Sequence, residues 1–257
     1  MTTGISVVIP TYNERRNISG IVAHSLDALE EFESEIIVVD DDSHDLTWQV
    51  ARTVYDDHDH VQIVRRTEES GLATAVSRGF EEASYDYYAV IDADFQHPPE
   101  VLSDIARALE EGADIAIGSR YVADGAIDNW TSYRKFVSQS ASSIAKISIP
   151  WIRDISDPLS GFFGVDSDVI DAVELDPIGY KILLEILAKG EYRTVAEIPY
   201  TFHDRERGES NLGFEEYLNF VYHLLSLHSE RLIADVREYT GNHGANQRTS
   251  SVHGKNR

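Results

Sequence analysis

Five short apolar runs punctuate the first 120 residues: Ile5–Ile9, Glu35–Asp40, Val61–Arg66, Tyr87–Ala93 and Asp114–Ser119. They are rich in valine and isoleucine and lack a polar face, which predicts strands buried on both sides. Between them, Glu14–Glu30, Leu46–Tyr55, Leu72–Ala83 and Glu100–Glu110 carry apolar residues at helical spacing. Strand and helix in alternation predict an α/β fold, a mostly parallel sheet flanked by helices. Ligands on such sheets bind beyond the carboxyl ends of the strands. Three polar clusters fall there: Pro10–Glu14, Asp40–Asp45 and Asp92–His97.

Beyond residue 120 the rhythm changes. Asp128–Ile149 reads as a helix carrying Arg134, Lys135 and Lys146, and Asp157–Phe163 as a glycine-containing turn into a strand. Gly179–Lys189 reads as a helix and Tyr192–Phe202 as one or two strands. His203–Gly213 is a charged, glycine-bearing loop, and Glu215–Glu238 a long amphipathic helix. One domain is expected over 1–238, with a polar, disordered tail over 239–257. Tyr133–Trp151 and Phe214–Ile233 each carry an apolar stripe that suits either a membrane surface or packing on the sheet.

Composition narrows the function. The 257 residues include no cysteine, which excludes disulfides, thiolate metal sites and a cysteine nucleophile. The amino terminus lacks the basic start and apolar core of a signal peptide. No apolar run reaches the ~20 residues that span a bilayer. The net charge is −23, from 45 acidic and 22 basic residues, only five of them lysine. Nucleic acid is thereby disfavoured as a partner. The charge excess and the lysine shortage together point to adaptation to high intracellular salt.

The run IDADFQHPPE carries the sharpest chemical signal. In extended backbone, Asp92, Asp94 and Gln96 would point to one side. Three convergent oxygen donors suit Mg²⁺ or Mn²⁺; the alternative is a solvated acidic turn. His97 reads as a turn residue before Pro98. In VVIPTYNE, Tyr12 offers an aromatic face to a base or ribose and Glu14 an acceptor, or Glu14 simply favours the first helical turn. In VDDDSHDLT, Asp40 or Asp42 suits a nucleotide's polar edge, and Asp45 a helix cap. No GxGxxG fingerprint is present. A phospho-acceptor receiver domain would need an aspartate on the third strand, and Val61–Arg66 supplies none. Arg120 directly follows a buried strand, which favours a phosphate-binding role over a surface ion pair.

Read together and in order, VVIPTYNE, VVDDDSHDLT, RRTEESGLATAVSRGFEEA, IDADFQHPPE, IGSRYV, DPLSGFF, PIGYKILLEIL and DRERGES resemble the dolichol-phosphate mannose synthases. These are inverting family 2 glycosyltransferases with a GT-A (Rossmann-like) fold. The resemblance runs from about Ile5 to Leu227. It implies that Pro10, Tyr12, Glu14, Asp40, Asp42 and Asp92 hold the donor nucleotide. It implies that Asp92, Asp94 and Gln96 ligate the metal, with Asp94 nearest the diphosphate. It implies that Arg120, Arg134, Ser138 and Arg205 grip the acceptor phosphate, Asp94 and Arg120 being catalytic. The late motif usually reads GESKL; here Asn211 replaces the lysine.

The expected activity is transfer of a hexose, mannose from GDP-mannose, to dolichyl phosphate with inversion. The same reaction with UDP-glucose is one alternative, and a non-catalytic nucleotide-sugar-binding subunit is another. A phosphate acceptor is already anionic near neutrality, so no strong general base is required. The expected place is peripheral, on the cytoplasmic face of a membrane, with a small membrane-anchoring subunit as a plausible partner.

Overall fold

The computed structural model describes residues 2–171, 173, 175, 181–203 and 224. The first half alternates as its apolar pattern predicts: β1 (Thr2–Thr11), α1 (Ile18–Ala28), β2 (Ser34–Asp40), α2 (Thr47–Tyr55), β3 (Val61–Arg65), α3 (Leu72–Glu82), β4 (Tyr85–Val90), α4 (Leu102–Glu110) and β5 (Ile115–Ser119). There follow β6 (Ala126–Ile127), α5 (Ser132–Ser148), β7 (Phe163–Asp166), α6 (Ile182–Lys189), β8 (Val195–Pro199) and β9 (Thr201–Phe202).

Seven strands form one sheet in the order β3-β2-β1-β4-β7-β5-β8, and β6 pairs with β9 in a small second one. Only β7 runs antiparallel to its neighbours, β4 and β5. Successive side chains of a strand point to opposite faces, and the two cores follow that rule. Val8, Ile37 and Val39 join the core under α3, α5 and α6. Val7, Ile9, Ile36 and Val38 join the core under α1, α2 and α4. Among the described residues, Gly79 allows α3 to press on β1: a Cβ there would stand 2.3 Å from Val8 Cγ1.

Several expectations are corrected. β3 and β8 are half-buried rather than buried on both faces, because they are the sheet edges. The first helix starts at Ile18 rather than Glu14, because Glu14–Asn17 form a separate turn whose Glu14 carbonyl accepts from the Asn17 and Ile18 N–H groups at 2.9 and 3.0 Å. The fourth strand stops at Val90, not Ala93. The helix placed at Asp128 starts at Ser132, where Thr131 accepts a hydrogen bond from the Arg134 backbone and caps it. Tyr192–Phe202 makes two strands, one in each sheet. The expected helix at Glu215–Glu238, the stripe at Phe214–Ile233, and Arg205 and Asn211 lie outside the described residues.

Candidate active site

All six non-glycine residues with positive φ lie around one end of the sheet, among the described residues: Asn13, Asp42, Leu46, Phe95, Asp124 and Asn129. Such backbone is costly and persists where surroundings enforce it, often at functional sites. Four of the six fall within or beside the acidic clusters read from the sequence.

The first half-site is a pocket of about 600 Å³ lined by Tyr12, Asp41, Asp42, His44 and the segment Arg66–Leu72. Tyr12 is exposed on its rim, edge-on to His44 at 6.4 Å between ring centres. Arg66 locks the far wall. Its Nε donates to Asp41 Oδ1 at 2.7 Å, Nη1 to Thr74 Oγ1 at 3.0 Å and Nη2 to the Gly71 carbonyl at 3.0 Å. The Gly71 N–H donates to Asp41 Oδ2 at 2.7 Å, and its φ of 133° is one that favours glycine.

Asp40 is not among the residues that line this pocket. It is fully buried, because Ser43 N–H (2.8 Å), Ser43 Oγ (2.7 Å) and Thr11 Oγ1 (3.1 Å) donate to its oxygens and fold the turn over it. Burial pushes its pKa up despite those donors. Asp41, which the sequence did not single out, faces the pocket instead. Asp42 also lines it and pairs with Arg65, Nε to Oδ1 being 2.7 Å. Glu14 accepts from Asn17 Nδ2 at 2.7 Å at the foot of α1, and Pro10 is buried in β1 beside Val39. Asp45 accepts from the Thr47 N–H at 3.0 Å and caps α2 as its position suggested.

The acidic motif sits beside this pocket, beyond β4. It is a turn, not extended backbone, so strand alternation does not align its three side chains. Phe95 takes a φ of 59° while its ring packs edge-on against His24 of α1 at 5.8 Å. Asp94 Oδ1 accepts the Gln96 N–H at 3.0 Å, which tightens the turn. Gln96 is buried, and its Nε2 donates to the His203 carbonyl at 3.2 Å. His97 is also buried, against Phe162, Tyr200 and Phe202, with Nδ1 3.6 Å from Asp92 Oδ2. It lies in the turn before Pro98, as the sequence suggests, and its buried ring packs as a partner of that turn.

Among the described residues no cluster of three His, Asp or Glu side chains forms a closed metal cage. Two carboxylates and an amide suit Mg²⁺ or Mn²⁺ well, since Mg²⁺ in particular keeps waters and takes substrate phosphate oxygens rather than an all-protein shell.

The second half-site gathers cations and rings. Arg120 follows β5 and turns inward. Its Nε and Nη2 donate to Asp157 Oδ2 (2.7 Å) and Oδ1 (2.8 Å), and its own N–H to Oδ2 (3.2 Å). Asp157 is fully buried, and two N–H groups, of Ser156 (2.9 Å) and Asp157 (3.1 Å), donate to Glu197 of β8 to hold it there. Burial works against the Arg120 charge, but its bonds to Asp157 outweigh that and raise its pKa. Arg120 is therefore ion-paired, though inside the protein and not on its surface. The rest of its guanidinium faces Tyr121, Phe202 and Trp130, at 5.5, 5.5 and 5.8 Å. Arg134 lies over the same Trp130 ring at 4.2 Å. Ser138, one turn on, accepts from Tyr121 Oη at 3.0 Å. Arg120, Arg134 and Ser138 are thus assembled by Tyr121 and Trp130, neither singled out in the sequence. An aromatic residue between two arginine-bearing motifs was the available signal.

One turn joins the half-sites. It begins at Asp157, which holds Arg120, and ends at Gly161, where a Cβ would stand 3.4 Å from Asp92 Oδ2.

Residues 6–173 match the family model described as glycosyl transferase family 2. This chain belongs to that family. It is 50% identical over 229 residues to the dolichol-phosphate mannosyltransferase of Pyrococcus furiosus, covering 88% of this chain and 65% of that protein. The chain thus spans just under two-thirds of the length of that archaeal relative. It is 32% identical over 240 residues to the dolichol-phosphate mannosyltransferase of Saccharomyces cerevisiae, covering 89% and 88% of the two chains. Among solved structures, glucosyl-3-phosphoglycerate synthase of Mycobacterium tuberculosis, with Mn²⁺, UDP and phosphoglyceric acid, superposes with a TM-score of 0.68 at 19% identity, over 88% of this chain and 78% of that one. That likeness establishes the GT-A fold expected from the sequence.

Proposed function

We propose that this family 2 glycosyltransferase transfers mannose from GDP-mannose to dolichyl phosphate with inversion. The observation that carries it is the Asp157–Gly161 turn, which runs from the carboxylate holding Arg120 to the side of Asp92 at one end of the sheet. Donor and acceptor are both anionic, and joining them requires cation support on each. The names of the archaeal and yeast relatives support the acceptor and sugar.

The pocket wall supports the base. Glu68 and Glu69 line it. Guanine presents an imino and an amino donor on one edge, which a carboxylate accepts together; uracil presents one donor between two carbonyls. Tyr12 offers its exposed ring as a stacking face for the base or ribose. Asp40 acts beneath, holding the turn that presents Asp41 and Asp42.

Asp92, Asp94 and the Gln96 amide oxygen would hold Mg²⁺ or Mn²⁺, which supplies charge neutralisation for the leaving diphosphate. Mycobacterial structures of the same fold carry Mn²⁺ or Mg²⁺ with UDP. Arg134 on Trp130, with Ser138 beside it, grips the acceptor phosphate, as does Arg205. Arg120 orders the cluster through Asp157 and turns its remaining edge to the same place. The phosphate monoester attacks without a protein base, and these side chains orient it.

Residues 1–238 act as one catalytic domain. No helix among the described residues is long and apolar enough to cross a membrane. α5 instead exposes Tyr133, Phe136, Ile144 and Ile147, with Trp151 just beyond. Their steps of three, eight, three and four residues keep them on one helical face, and that face lies on the cytoplasmic side of the membrane that carries the lipid. The net charge of −23 disfavours unaided binding to anionic lipid, so a small membrane subunit completes the anchor.

Purified protein in high KCl with Mn²⁺ and dolichyl phosphate, given labelled GDP-mannose, UDP-glucose and UDP-N-acetylglucosamine in parallel, tests the reading. Label in lipid from GDP-mannose alone is expected; label from a UDP-sugar instead would overturn the assignment of the donor.

A further inference from the structure

Phe95 stands between Asp94 and Gln96 with a φ of 59°. For a bulky side chain such left-handed backbone is strained, whereas glycine adopts it freely. The conformation turns the chain so that Asp94 Oδ1 accepts the Gln96 N–H at 3.0 Å. A sequence suited to the turn alone would carry glycine there. The phenylalanine is therefore present for its ring.

That ring reaches α1. It lies edge-on to His24 at 5.8 Å between centres and packs against the core that includes Ile18, Ile21 and Val22. Gly20 makes room for it. Among the described residues, the group that a Cβ at Gly20 would meet is the Phe95 ring, with Cζ at 3.1 Å and Cε2 at 3.6 Å. Gly20 itself lies in α1 without a positive φ, where glycine weakens a helix relative to alanine. Glycine thus stands where the backbone does not need it, and phenylalanine where the backbone favours glycine. A single contact, the ring seated on the helix, accounts for both.

We propose that Phe95 is a positioning residue for the metal ligands on either side of it, and that Gly20 of α1 is the seat of its ring. The inference rests on the reading of Asp94 and Gln96 as metal ligands. With the ring held on α1 the direction of its Cα–Cβ bond is fixed. The backbone angles that set Gln96 against Asp94 are fixed with it. Gln96 is held from the other side by the residue after β9, its carbonyl accepting the His203 N–H at 3.0 Å and its Nε2 donating to the His203 carbonyl at 3.2 Å. Supports of this kind, outside the ligands themselves, set the affinity of a metal site. No chemical step is assigned to Phe95.

The test is a double-mutant cycle on the whole protein. Phe95→Gly frees the backbone and removes the ring. Gly20→Ala keeps every side chain of the acidic turn and pushes the ring by a few tenths of an ångström. Mn²⁺ affinity is measured by electron paramagnetic resonance titration in high KCl with GDP present, and thermal unfolding is followed without metal. Phe95→Gly is expected to bind Mn²⁺ about 10-fold or more weakly, as loss of a supporting contact does. Gly20→Ala is expected to weaken binding as well, and to add nothing in the Phe95→Gly background, where no ring remains to be moved. A merely structural ring would lower the unfolding temperature of Phe95→Gly and leave Mn²⁺ affinity alone. Wild-type affinity in Phe95→Gly therefore overturns the inference and leaves the metal reading standing. Losses that simply add in the double variant also overturn it, because Gly20 would then act without the ring. If Phe95→Gly does not fold, Gly20→Ala decides alone, and wild-type affinity in it overturns the inference. Wild type that binds no Mn²⁺ overturns the metal reading and the inference together.

Discussion

Asp157→Asn removes one charge from the most enclosed ion pair of the site. The Arg120 side chain is 9% exposed and that of Asp157 is 0% exposed, so solvent cannot compensate either charge. Three hydrogen bonds converge on that carboxylate, at 2.7, 2.8 and 3.2 Å. Breaking a buried pair from one side costs about 3–5 kcal/mol, because the remaining charge stays buried. For a chain of this size each kcal/mol lowers Tm by about 2–4 °C, so a fall of roughly 6–20 °C is expected. The Arg65–Asp42 pair is the internal control, with side chains 36% and 43% exposed. Asp42→Asn should cost only about 0–1 kcal/mol. Scanning calorimetry in multimolar KCl separates the two, since salt screens the surface pair and hardly touches the buried one. The double variant Arg120→Met with Asp157→Leu should recover much of the loss, as apolar replacements of buried pairs do. An Asp157→Asn protein within about 1 kcal/mol of wild type would refute the enclosed-pair argument.

The Asp114 carboxyl is held below its ordinary 3.8: burial opposes this, but N–H groups of Arg193 and Thr194 and the Thr194 hydroxyl outweigh it. A lowered acid pKa gives stability that is full above 3.8 and fades as pH falls through the folded value. Asp114→Asn should therefore be destabilised in urea at neutral pH, with the gap closing in acid; a gap that widens in acid contradicts this. Phe136→Ser with Ile147→Ser, both on the exposed stripe of α5, should weaken co-sedimentation with dolichyl-phosphate vesicles at unchanged Tm. Unchanged binding would remove α5 from the membrane. The net charge of −23 should make Tm rise steeply with KCl, because the screening length shrinks to about 3 Å at 1 M. Stability without salt would end the halophilic reading.

Much of the fold was legible because apolar periodicity reports burial directly. β1, β2 and β5 announce themselves as runs of valine and isoleucine, and the structure buries them on both faces. β3 carries the same residue types but sits at an edge, which composition cannot reveal. The antiparallel insertion of β7 was equally hidden, since strand direction depends on partners distant in sequence. In the site, sequence marked the acidic turn and the arginines but not their division of labour. Asp40 and Asp41 are adjacent and chemically identical; only the fold buries one and turns the other to the pocket. Arg120 was visible as a cation after a strand, whereas its partner lies 37 residues on. Trp130 and Tyr121 meet the arginine cluster only through the fold, and a lone aromatic residue in sequence more often signals packing than a site.

The most direct test of the central claim is transfer itself. GDP-mannose labelled in the sugar, Mn²⁺ and dolichyl phosphate are incubated with wild type and with Asp94→Ala, and label is counted in the organic phase. The expected result is label that depends on dolichyl phosphate, carried in an inverted linkage, and lost in Asp94→Ala. Equal label with both proteins, or none with wild type while GDP-mannose binds, would contradict the assignment of the acidic turn and the arginine cluster to one catalytic centre.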